Sequence, residues 1–159
     1  YHYSSKSEIL QVILDYQLAA FKNAIPTPEE REMSKSLPFD LAEFWMTGIM
    51  EFFKKLPPLY EAISQILFNE MFLNEQCRKF VLHNMFLTQK KATVMLLNDL
   101  YQRDMIKECD IEKTAEQYVY LLYSLDIENK ILLMEGTPLE EIKESQIKHI
   151  LFFIEGLKK

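Results

Sequence analysis

Glycine is scarce in this sequence: the 159 residues hold three, Gly48, Gly136 and Gly156. Tight hairpin turns lean on glycine for positive φ, so a hairpin-rich β architecture is excluded. The two cysteines, Cys77 and Cys109, make neither a disulfide framework nor a metal-ligand quartet. That usage fits a reduced, cytoplasmic setting. No apolar run approaches the roughly 20 residues of a membrane-spanning helix, so no membrane partner is expected. A glycine-rich phosphate loop is missing, as is any Glu-x-x-His pair. The three histidines, His2, His83 and His149, are too scattered to suggest a triad. No catalytic residue, metal or cofactor is therefore expected. A net charge of −6 argues against a polyanion-binding surface over most of the chain.

What is present is greasy and helical. Hydrophobic residues make up 48% of the chain, too much for disorder and enough for a domain-sized core. Its six prolines are clustered (Pro26 and Pro28, Pro38, Pro57 and Pro58, Pro138) and punctuate helical stretches. Ser4 or Ser5 followed by Glu8 reads as a helix start. The helix is expected to run to Ala24 on Ile9, Ile13, Tyr16 and Ala20, with Leu10, Leu14 and Phe21 widening the stripe. "IPTPEEREMSKSLP" breaks the pattern, leaving room for one short turn around Glu29 to Ser34. Leu41, Trp45, Ile49, Phe52 and Leu56 then share one side of a clear amphipathic helix. Pro57-Pro58 opens another, with Leu59, Ile63, Ile66 and Leu73 expected inward. Helical pattern continues from Asn74 to Ile106, and its apolar stretch "FVLHNMFL" suggests an enclosed position. Asp110 caps a helix over Ile111 to Met134, "EGTP" ends it, and Pro138 opens the last. The expected fold class is all-α.

Two helices carry more apolar surface than one core needs. Projected at 100° per residue, Tyr120, Tyr123, Ile127, Ile131 and Met134 fall on one side of the penultimate helix. Tyr118, Leu122, Leu125 and Leu132 fall nearly opposite. The last helix gathers Leu139, Ile147, Ile150, Ile154 and Leu157, with Leu151, Phe152 and Phe153 broadening its arc. A two-fold pairing of these helices into a four-helix interface would cover the surplus. Leu122, Leu125, Ile147, Ile150, Leu151 and Ile154 are the expected interface residues. A larger single-chain bundle enclosing both faces is the alternative.

His83 lies on the projected helix side shared by Phe80, Leu87, Val94 and Tyr101. It suits two roles: a core histidine satisfied by a backbone carbonyl, or a polar anchor in a mainly apolar ligand cavity. Trp45, Phe52 and Tyr101 are candidate cavity walls, although ordinary core packing explains such residues as well. Eight methionines fit adaptable packing or a tolerant pocket.

The opening "YHYSSKSEIL" resembles the end of the helix-turn-helix region in TetR-family regulators. There, a ring-rich "Y-H-F-x-S-K-E-E-L-L"-like stretch closes the recognition helix. Lys6, Glu8, Ile9 and Leu10 match; Tyr3 stands where the family usually has Phe, and Ser7 where it has an acid. "MIKECDIEKTAEQYVYLLYSL" and "TPLEEIKESQIKHILFFIEGLKK" look like the approach to the family's penultimate helix and its terminal helix. The resemblance implies a TetR-like C-terminal helical bundle dimerising through the last two helices. Residues 1–7 would be a remnant of the DNA-binding region, 8–24 the linking helix, and 25–159 the ligand-binding and dimerisation domain. Tyr1, His2 and Lys6 would contact the DNA backbone or pack at a hinge. The implied partners are a second copy of the chain, operator DNA for the full-length protein, and an apolar or aromatic small molecule. A free-standing all-α ligand-binding or protein-interaction module is the competing expectation.

Overall fold

Every element among the described residues is helical, as the glycine-poor, proline-punctuated sequence requires. The computed structural model describes residues 5–27, 29–30 and 40–159. The chain separates into two compact units, one ending at Met85 and one running from Phe86 to Lys159.

In the first unit, α1 spans Lys6–Ala24, and the Ser5 hydroxyl accepts from the Glu8 amide at 3.2 Å. The acid in the first turn also favours the positive end of the helix dipole. Its buried side is Leu14, Gln17, Ala20 and Ala24, so a glutamine sits amid the apolar stripe. Ile25 is extended because proline follows it, and α1 stops there. Thr27 and Glu30 then bond reciprocally: the Thr27 amide donates to the Glu30 carboxylate, and the Glu30 amide to the Thr27 hydroxyl. This capping box begins the short turn expected near Glu29. Residues 31–34 of that turn lie outside the described residues.

Asp40 caps α2, Leu41–Lys55, by accepting from the Ala42 amide at 2.7 Å. Leu41 and Trp45 are buried and Ile49, Phe52 and Leu56 half-buried, in line with the expected stripe. After Pro57-Pro58, α3 forms only over Tyr60–Glu70. Its inward side is Ser64 and Leu67, whereas Leu59, Ile66 and Leu73 are exposed. Leu59 and Leu73 lie outside the helix, and of the expected inward residues only Ile63 is half-buried. Asn74 caps the short α4, Glu75–Phe80. Helix α1 packs against α2 and α3, and α3 against α4.

Val81–Leu87 winds as a π-helix. Its i→i+5 hydrogen bonds give a wider turn than the α-helix, so a 100° projection runs out of phase along it. Here the structure corrects the sequence reading. Val81 is buried, but Leu82, His83 and Leu87 are exposed and Asn84, Met85 and Phe86 half-buried. The stretch is not enclosed.

In the second unit, α5 spans Thr88–Gln102 and turns Thr93, Leu97 and Leu100 inward. It stops short of Ile106, which is itself fully buried in the following loop. Asp104 there takes a left-handed φ of 62°, a conformation that Asp tolerates better than most residues. The loop is tied to the C-terminus: the Lys107 amide donates to the Leu157 carbonyl, and Lys159 pairs with Asp104. Asp110 caps α6, Ile111–Met134, by accepting from the Lys113 amide at 3.0 Å. At its far end the Gly136 amide bonds to the Leu133 carbonyl and the Thr137 amide to that of Leu132. This is the Schellman arrangement, and it needs Gly136 at φ +85°. The last helix, α7, spans Leu139–Glu155. Helix α6 packs against both α5 and α7.

Gly136→Ala places a Cβ in open space but in a backbone conformation unfavourable to L-residues. Urea denaturation is expected to show a loss of about 1 kcal/mol. An unchanged midpoint would mean that the turn rearranges freely.

Candidate functional site

The four residues suggested for a ligand cavity have unequal positions. Trp45 is buried on α2, and Phe52 sets its ring edge-on to Phe21, with centroids 5.8 Å apart at 71°. His83, expected to point into apolar surroundings, is exposed on the π-helical stretch. Tyr101, in the second unit, is 47% exposed. Trp45 and Phe52 thus remain in the first unit's interior, and the polar anchor must be sought elsewhere.

That interior contains a buried polar pair. Gln17 is 1% exposed on α1 and Ser64 4% exposed on α3. The Gln17 side-chain nitrogen donates to the Ser64 hydroxyl, bridging the two helices. The amide oxygen Oε1 is buried and has no hydrogen-bond partner among the described residues. The sequence held the signal. Gln17 is three residues after Leu14, three before Ala20 and four before Phe21, so it falls inside the apolar arc of α1.

The second feature is the outer side of α6. Its inner stripe carries Tyr118 and Leu125, both buried, with Leu122 and Leu132 half-buried. Tyr118 meets the Phe153 ring of α7 at 5.1 Å. On the opposite side Tyr120, Ile127 and Ile131 are each more than half exposed and Met134 is 82% exposed. Tyr123 of that stripe is half-buried because it stacks on Phe86, with centroids 4.0 Å apart. The expected interface set therefore divides. Leu125, Ile150 and Ile154 are buried within the chain; Leu122 and Leu151 are half-buried. Ile147 is exposed, as is Phe152 at 83%. The physical reason is that α5 and α7 absorb the inner stripe, leaving the Tyr120 side as the surplus.

Lys6 is exposed as the first residue of α1, while Tyr1 and His2 lie outside the described residues. An open depression beside α4 is lined by Leu73, Asn74, Glu75, Gln76 and Lys79, apart from the residues above. Among the described residues, no group of three or more His, Cys, Asp or Glu side chains is placed to hold a metal. No helix among them is long and apolar enough to cross a membrane. Compared with family models, curated proteins and solved structures, the chain gives no match.

Both cysteines are free, Cys77 fully buried and Cys109 half-buried. Burial, with a smaller contribution from the Glu70 carboxylate, raises the Cys77 thiol above its ordinary value. Thiolate is the reactive form. Iodoacetamide at neutral pH is therefore expected to label Cys109 first and Cys77 only when the first unit opens. Equal labelling rates, read by peptide mass spectrometry, would contradict this packing.

Proposed function

We propose that this chain is the ligand-binding and dimerising portion of a TetR-like, ligand-responsive transcriptional regulator. DNA recognition is assigned to a helix-turn-helix segment preceding Tyr1, as the "YHYSSKSEIL" resemblance implies. The all-α fold and its helix order are compatible with that reading. The observation that carries it is the unpartnered apolar side of α6, Tyr120, Ile127, Ile131 and Met134, next in sequence to a helix that exposes Phe152. Burial of one large apolar side chain is worth roughly 1.5–3 kcal/mol, so several exposed along one face favour a second copy. An isologous contact covers the same face on both subunits.

In this reading a small, mainly apolar molecule binds in the helical interior of each subunit. It changes operator affinity only if it binds one spacing of the DNA-reading heads better than the other. Helix α1, joining head to interior, is the element that transmits the preference. Lys6 at its start would add a phosphate contact that positions without reading sequence. The protein acts as a binding switch rather than an enzyme, in the cytoplasm where its operator lies.

Sedimentation at micromolar concentration is expected to show a dimer. Ile127→Glu with Ile131→Glu should yield a monomer of unchanged helical circular dichroism. A monomeric wild type would remove the support for this function. The coding sequence upstream of Tyr1 gives an independent check, because a capped helix, short turn and basic second helix are expected there.

A further inference from the structure

Gln17 is the residue that ordinary core packing explains least. A buried amide left half-satisfied costs roughly 1–3 kcal/mol, which a leucine in the same place would not cost. The amide has a donor end and an acceptor end, and Ser64 engages the donor. The acceptor, Oε1, is left over inside a unit whose buried side chains include Leu14, Leu41, Trp45 and Leu67. A lone polar atom in apolar surroundings is how binding interiors orient a mostly hydrophobic guest.

We infer that Gln17 Oε1 is the polar anchor of the effector site, accepting a hydrogen bond from the N–H or O–H of a small aromatic molecule. This rests on the ligand-sensing reading above and narrows it to a chemical class. Three observations select that class. The free atom accepts and does not donate, so the guest supplies a proton. Gln17 is 1% exposed, so a guest reaches its oxygen only by entering the unit, which restricts the guest to a small molecule. The unit is rich in rings: Trp45 is buried in it, and Phe21 meets Phe52 edge-on. The anchor also lies on α1, while its Ser64 partner lies on α3, which α1 packs against. A guest bonded to Gln17 thus acts directly on the helix assigned to transmission.

Three fused-ring probes of nearly one shape separate the outcomes: indole has an N–H donor, benzofuran only an acceptor oxygen, and indene neither. Calorimetry on the full chain is expected to show indole binding about tenfold more tightly than indene or benzofuran, the worth of one enclosed hydrogen bond. The Gln17 side-chain amide signals should shift in nitrogen-proton spectra on adding indole. Gln17→Leu should make the three probes equal while the protein stays folded. Gln17→Met serves the same comparison if leucine disturbs the packing. Four results would overturn the assignment: no binding of indole, as when a buried water already serves Oε1; equal wild-type affinities; a preference for benzofuran; or an indole preference that survives the substitution. The probes read ligand chemistry and sedimentation reads the subunit contact, so either can fail without the other.

Discussion

A helix in a small unit has one side to give to the core, and α6 has apolar residues on two. Tyr118, Leu122, Leu125 and Leu132 go inward, where α5 and α7 cover them. Tyr120, Ile127, Ile131 and Met134 are then left in water by geometry, not by want of hydrophobicity. The length of α6 sharpens the constraint. Its 24 residues carry the stripes through more than six turns, so fraying at either end relieves little of the exposure. The charged residues between the stripes, such as Asp126 and Lys130, bond to each other along the helix at 2.7 Å and keep the two sides distinct.

Much of this architecture is legible from local chemistry. Ser5, Asp40 and Asp110 act as caps because each stands just before a helix with its side-chain oxygen in reach of free amides. "EGTP" stops α6 because only its glycine takes the required φ without strain. The stripe of α2 follows its hydrophobic spacing residue for residue. What could not be read is phase. A π-helical stretch widens the turn without any composition that announces it, so a 100° projection through His83 does not hold, and His83 is exposed. In α3 the buried side is Ser64 and Leu67, about a quarter-turn from the side that the apolar residues alone mark. Gln17 was hidden differently: its position was computable, but its polarity set it aside.

The first unit also exposes apolar residues, and the contrast with α6 is informative. Leu59 precedes α3, while Phe72 and Leu73 lie in the turn after it. Within its helices, Met50 and Phe53 of α2, and Ile9 and Val12 of α1, form shorter exposed pairs. Some apolar exposure is normal for a folded protein, whose surface is largely apolar in any case. Along α6, by contrast, the exposed residues follow spacings of seven, four and three, which align them on one face. The α6 stripe differs in length: it runs along one face for about four turns, whereas the α1 and α2 pairs span about one.

Burial of a polar group and exposure of an apolar one are the same anomaly seen from opposite sides. Each is a local cost that folding of the isolated chain does not remove, and the function and effector site proposed above rest on both. Among the described residues no donor reaches Gln17 Oε1, and the outer side of α6 is exposed. The two deficits differ in chemistry, one directional and the other not. A hydrogen bond to one oxygen selects among small molecules, whereas an apolar stripe selects mainly by area and shape. In the ligand-sensing dimer proposed above, the two kinds of selectivity would be carried by different helices.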